Sequence, residues 1–419
     1  MRTMVGDLSL RGRWASAISS PAGTFLRRRV LNLDGLAVAL LAAGLLLWGT
    51  GALPSERAWE VGERIAPLLA FLLTAVVLAE LAGRAQVFDV AATWVARLAR
   101  GSYPLLFLWC VALASATTIA LNLDTTAVLL TPVMLALASR VGIRPVPLAM
   151  TTVWLANTAS LLLPVSNLTN LLAAQRVVLV PTEMAAVMWA PQLAAIVVTM
   201  ACLWGFYWRR SARGDEVYVP PERPAAADPW LFGVCAAACG LFLLAIIGFN
   251  VALPAASAGA ALLAAAAFFV RRRGELRWSL VPWRLLALVP GMFLVVDWIS
   301  SLGLRDLLMS AVGTDGGFAG LLRTAAVGAG LSNVLNNLPA YLSTESVIPA
   351  DAHTQLLALL IGVNVGPLVT PFASLATLIW FERCRAHGVR IAKLPFAGAG
   401  LVLASAGVVA ATGALHLVA

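Results

Sequence analysis

The stretch NTASLLLPVSNLTN, residues 157–170, decides how this chain is to be read. It follows the apolar run 148–156 and carries Asn157, Asn167 and Asn170 with Thr158, Ser160, Ser166 and Pro164. In a water-exposed loop the mixture would be ordinary. Here the flanks are the kind that sit in lipid, where polar side chains and unpaired backbone groups are costly.

Working outward, the whole chain supports a membrane setting. Of 419 residues, 61% are hydrophobic and 12% charged, and the mean hydropathy is +0.89. Soluble domains carry roughly a quarter charged residues. Repeated apolar runs near span length therefore predict an all-α polytopic membrane protein. Spans are expected near 33–53, 61–82, 146–174, 185–207, 229–249, 253–270, 281–300, 354–382 and 394–416. Two longer blocks, 103–139 and 317–348, break near their middles at polar residues.

The net charge of +9 is almost wholly arginine, with Lys393 the only lysine. The arginines cluster in short segments between apolar runs: 27–29, then Arg84, Arg97 and Arg100, then Arg209, Arg210 and Arg213, then 271–273, and finally Arg383, Arg385, Arg390 and Lys393. Such clusters mark the cytoplasmic side and a lipid bilayer rather than nucleic acid. All of them fall inside only if 103–139 and 317–348 each enter and leave on one side, as re-entrant hairpins. The expected organisation is a cytoplasmic basic tail (1–32), a first repeat (33–207), a cytoplasmic linker (208–228) and a second, inverted repeat (229–419). The amino terminus is then cytoplasmic and the carboxyl terminus extracytoplasmic, in a cell-membrane protein.

The repeat is visible in residues. DTTAVLLT (124–131) aligns with NLPAYLST (337–344) at an offset of 213, and NTASLLLPVSNLTN aligns with NVGPLVTPFASLAT (364–377) at an offset of 207. Both broken segments read Asn, six residues, Pro. Inverted repeats whose broken helices meet at the midplane are a secondary-transporter signature. Half-helix ends aim unpaired N–H and C=O groups into the gap. The candidate substrate- or ion-binding residues are Asn122, Asp124, Thr125, Asn157, Thr158, Ser160, Ser166, Asn167 and Asn170 in the first half. In the second they are Ser332, Asn333, Asn336, Asn337, Asn364, Thr370, Ser374 and Thr377.

At these residues the chain resembles the ArsB-type arsenite/antimonite efflux permeases, in TASLLLPVSNLTNLLAA (158–174), LVPGMFLVVDWISSLGLRDLL (288–308), GLSNVLNNLPAYL (330–342) and GPLVTPFASLATLIW (366–380). More broadly it resembles the ion-transporter superfamily, which includes divalent-anion/sodium symporters. The resemblance implies an inverted-repeat, elevator-type fold. Two hairpins and two broken helices slide as a transport domain against a scaffold, often in a homodimer. It departs from the family pattern where Asn157 stands for the usual Asp, and where Asn364-Val365-Gly366-Pro367-Leu368 stands for Asp-Leu-Gly-Pro-Lys. The hairpin tip is Leu123-Asp124-Thr125, with Asn122 one place earlier, where Asn-Asp-Gly is common.

The chemistry of these residues bears on three functions. Asn, Ser and Thr suit a neutral trihydroxy solute such as As(OH)3, carried outward by proton exchange or with a separate ATPase subunit, since the chain has no P-loop. A carboxylate or other small anion is the alternative; helix N-termini and a cotransported proton or sodium would then supply positive field. Asp124 is the candidate coupling site, with an N-cap role as its plainer reading. Glu80 is expected to pair with Arg84, and Asp297 to lie at the outer interface. An enzyme is disfavoured: His353, His387 and His416 form no HExxH, and there is no GxSxG. Five cysteines without CxxC imply neither disulfides nor a metal site, and no cofactor is expected.

Overall fold

The structure is a computed structural model that describes residues 33–177, 179–209, 220–221, 226–299, 305–312 and 316–418. The basic tail and most of the linker, with Arg27, Arg28, Arg29, Arg210 and Arg213, lie outside the described residues. Among the described residues every regular element is helical, and eight helices are long and apolar enough to cross a membrane.

The chain divides into two compact units, the first from Met1–Leu69 and Pro282–Trp298, the second from Ala70–Val281 and Ile299–Ala419. In the described part of the first, α1 (Leu33–Gly49) and the start of α2 (Ser55–Arg84) lie with a later helix, Trp283–Ile299. Gly291 sits directly against the backbone of Leu40 and Leu41, where a Cβ has no room. Small residues let helix backbones approach this closely in lipid. Asp297, expected at an interface, meets Arg57 at 3.7 Å.

In the second unit the rest of α2 is followed by α3 (Val87–Leu98), a short amphipathic helix absent from the expected spans. A hairpin follows, α4 (Tyr103–Leu121) and α5 (Leu123–Val141), each of 19 residues. At 1.5 Å per residue each arm is about 28 Å long, close to the bilayer core. Then come α6 (Pro145–Thr158), a non-helical gap, and α7 (Leu168–Val177). Next are α8 (Pro181–Trp208), α9 (Pro229–Gly248) and α10 (Leu253–Arg271). After α11, the Trp283–Ile299 helix of the first unit, comes α12 (Arg305–Ala311). The second hairpin has a long arm, α13 (Phe318–Leu335), and a nine-residue arm, α14 (Asn337–Glu345). The second broken helix is α15 (His353–Val365) and α16 (Leu375–Ala386), and α17 (Lys393–Val418) closes the chain.

The two hairpin tips share their local chemistry. Asn122 and Asn336 form the hairpin tips at φ 126°, ψ 170° and φ 104°, ψ 153°, a backbone region essentially confined to glycine, so both tips are strained. Each caps the arm that follows: Asn122 Oδ1 accepts from Thr125 N–H at 2.8 Å, and Asn336 Oδ1 from Leu338 N–H at 3.4 Å. The tips are therefore 214 apart, one more than the sequence alignment of the arms. The extra residue lies in a π-turn, Thr126–Leu130. One turn with i→i+5 bonding holds one residue more than an α-turn, so the offset is 214 before it and 213 after it. At the breaks no such shift occurs. Thr158 and Val365 end the first half-helices, and Leu168 and Leu375 start the second, both 207 apart.

Two expectations are corrected. Arg84 does not pair with Glu80; its Nη1 donates to Glu275 Oε2 at 3.0 Å and to the Glu275 carbonyl, because Glu275 lies on the basic turn after α10. Asp124 is not the cap of the second hairpin arm, since Asn122 takes that position.

Candidate functional site

The gaps Ala159–Asn167 and Gly366–Ser374 are where backbone leaves helical hydrogen bonding, and both are mostly buried. Pro164 opens a single 3-10 turn in the first gap and Pro371 lies in the second, so the prolines mark the breaks rather than kink a continuous helix. The freed backbone groups are met from nearby. Gln192, on α8, accepts from Leu161 N–H at 2.8 Å and donates to Thr158 O at 3.0 Å. Asn170 Nδ2 donates to the carbonyls of Ser160 and Leu163. Ser166 Oγ donates to Ile119 O, joining the first gap to the first hairpin.

The second gap is held by its own hairpin. Asn333 Oδ1 accepts from Val369 and Thr370 N–H, both at 3.1 Å, and its Nδ2 donates to Gly366 O. Thr370 Oγ1 returns a bond to Asn333 O. Asn336 Nδ2 donates to Phe372 O, and Asn337 N–H to Ala373 O. Close glycine contacts make this possible: Gly362 presses on Ala325 O, and Gly400 on Leu368 O.

The two breaks then meet. Asn167 Nδ2 and Thr169 Oγ1 both donate to Asn364 Oδ1, at 2.6 and 2.9 Å, and Asn364 Nδ2 donates to Asn170 Oδ1 at 2.6 Å. On the opposite half-helix, Asn157 Nδ2 donates to Val153 O at 2.9 Å and reaches Thr377 Oγ1 at 3.4 Å. Ser374 caps α16 through Thr377 N–H, and its hydroxyl also bonds the Thr377 hydroxyl at 2.8 Å. Asn157, Asn167, Asn170, Asn364, Ser374 and Thr377 are all 3% exposed or less. Asn157 Oδ1 is buried with no hydrogen-bond partner. The α7 and α16 N-termini end in this neutral crossing, with their partial positive charge.

Not every candidate joins it. Thr158 bonds Trp154 O and Thr199 on α8, Ser160 bonds Asn157 O, and Ser332 bonds Gly328 O in its own helix. These hydroxyls satisfy local backbone and neighbouring helices. Asn122 and Thr125 form the first tip, whose short segment packs against α6 and α16. Asp124 stands there half-buried, and among the described residues no donor or cation pairs with it. Beside the same arm is a cavity of about 340 Å³ lined by Glu80, Arg84, Asp89, Val128, Leu129 and Arg383. Burial pushes the Asp89 carboxyl above its usual range, against the pull of Arg140.

Sequence reasoning passed over Thr169, Gln192 and Thr199. Gln192 had a readable signal, an uncharged but strongly polar side chain inside an apolar span. No group of three or more His, Cys, Asp or Glu suited to a metal occurs among the described residues.

Paired helix breaks, back to back within a bundle of membrane-length helices, define the class: this is a multi-pass membrane transporter. The chain belongs to the CitMHS, or citrate transporter, family, whose profile matches residues 25–374. It is 32% identical to the arsenical pump membrane protein of Escherichia coli (strain K12) over 339 residues, covering 75% of this chain and 77% of that one. It is 26% identical to a 46 kDa membrane protein of Mycobacterium leprae (strain TN), covering 82% and 83%. Its fold is similar to that of the YdaH transporter of Alcanivorax borkumensis, with a TM-score of 0.56 at 14% identity over 96% of this chain and 89% of that one.

Proposed function

We propose that the crossing carries small neutral oxo-solutes, arsenite and antimonite, out of the cell across the plasma membrane. The carrying observation is the buried, uncharged network of Asn157, Asn167, Asn170, Asn364 and Thr377, with the Asn157 carbonyl oxygen left open. A trihydroxy metalloid offers three O–H donors and as many acceptors. An open amide oxygen in a dry site is an acceptor whose desolvation is already met in the fold. The arsenical-pump relatives support the same substrate class. In this reading the halves are inverted repeats, and Asp124 is the proton-linked group or a partner ATPase supplies the drive. The amino terminus is cytoplasmic.

A second reading has its own support. The α7 and α16 N-termini and the unpaired Asp124 suit an anion carried with a proton or sodium, and the family's name is that of citrate carriers. One experiment separates the two. A metalloid-sensitive host lacking its own efflux pump is given this protein or its Asn364→Ala variant, and intracellular arsenic is measured. Lower arsenic with the parent and host-level arsenic with the variant support arsenite efflux. Unchanged arsenic, with the protein confirmed in the membrane, overturns it and turns the search to sodium-driven organic anions.

A further inference from the structure

Two short helices leave the crossing and meet again at their far ends. α7 begins beside Asn167, and α14 begins at the Asn336–Asn337 tip. They pack against each other. At the end of α7, Arg176 Nη1 donates to Glu345 Oε1 at 3.4 Å, and Nη2 donates to Ile348 O at 2.7 Å. Glu345 is the last residue of α14. Its side chain is 2% exposed and that of Arg176 is 26% exposed. Arg176 thus also meets the negative pole of the α14 C-terminus.

With ten and nine residues, the two helices are rods of about 14 Å. Their near ends are tied at the crossing, α7 to Asn364 and α14 to the Ala373 carbonyl. The ion pair ties their far ends, so the three ties close a frame through the second break. A buried pair is a costly way to fill space, since apolar residues often stabilise as well. It does supply direction, because a guanidinium fork accepts few geometries. By the same offsets the positions answering Glu345 and Arg176 are Pro132 and Arg383, which line the cavity beside α5 and cannot form an ion pair with each other.

We propose that Arg176 and Glu345 are positioning residues that set the spacing of the asparagines at the crossing, and so the affinity for the transported solute. The inference rests on the transport reading. A rod pinned at one end pivots; pinned at both ends, it holds Asn336 and Asn337 in register with Asn167 and Asn170. Neither residue touches the solute.

The test uses purified protein in proteoliposomes, with arsenite as probe, and the variants Glu345→Gln, Arg176→Met and the double swap Arg176→Glu/Glu345→Arg. Each single variant is expected to raise KM for arsenite about tenfold, with the maximal rate within about threefold of the parent. The swap returns KM to within about threefold of the parent value. A second readout needs no transport. Ala340, midway along α14 and 0% exposed, is replaced by Cys in a background free of the five native cysteines. Maleimide labelling at 340 is expected to run about tenfold faster in each single variant and to slow again in the swap. Unchanged labelling in folded single variants overturns the frame, whether or not arsenite is carried. Labelling as expected in a protein that carries no arsenite overturns the substrate reading instead. If the single variants do not fold, the swap decides: parent-like labelling supports the frame, and fast labelling in a folded swap overturns it.

Discussion

Asn157 and Asn364 occupy the same place in the two halves and are used differently. Asn364 spends its oxygen on two donors and its nitrogen on Asn170, while the Asn157 oxygen stays open. Asn364 therefore builds the crossing, and in the transport reading we propose, Asn157 is the residue that faces the solute. Asp124, half-buried at the first tip, is another group without a partner among the described residues. Asp124→Asn is expected to leave the protein folded and to flatten the pH profile of arsenite uptake into inverted vesicles; a profile unchanged from the parent would remove Asp124 from coupling. Gln192→Leu strands the Leu161 N–H and the Thr158 carbonyl, each at about 1–3 kcal/mol. The variant is expected to lose stability in detergent by thermal unfolding, with Gln192→Glu intermediate. Which residues are polar was legible in the sequence, but their partners were not. Thr169 and Gln192 sit about 195 and 31 residues from the groups they bond, and spacing carries no sign of such pairings. Arg84 shows the converse: a favourable i, i+4 neighbour lost to Glu275, some 191 residues away.

At the scale of elements, hydropathy and the Asn-to-Pro spacing were enough to read helices that break, because lipid forbids irregular backbone that is not buried in protein. The amphipathic α3 was hidden among arginines that read as a loop. The π-turn Thr126–Leu130 was hidden too, as a one-residue discrepancy that only the positions of the tips disclose. That turn makes its own prediction. Deleting Val128 should convert it into an ordinary α-turn and keep both flanks in register. The deletion protein is expected to elute as a single species in detergent, whereas deleting Tyr341 from the regular arm α14 should give aggregate. Aggregation of both would mean that the extra residue is required where it stands.

For the whole molecule, the halves are bonded directly to each other at their breaks. Asn364 of the second half answers Asn167, Thr169 and Asn170 of the first, Thr377 answers Asn157, and Trp380 Nε1 donates to Ala149 O. A gene cut after Gly214 should therefore give two fragments that reach the membrane together and are degraded when made alone, as a blot of each would report. The same cross-bonding bears on the order of synthesis. Residues 157–170 leave the ribosome long before Asn364, which follows Asn170 by 194 positions. At 5–20 residues per second the wait is roughly 10–40 s. During that interval the first break lies without its partners. Water, lipid headgroups or the insertion machinery must stand in for them, so the early half of the chain is the stage at which this protein most depends on assistance.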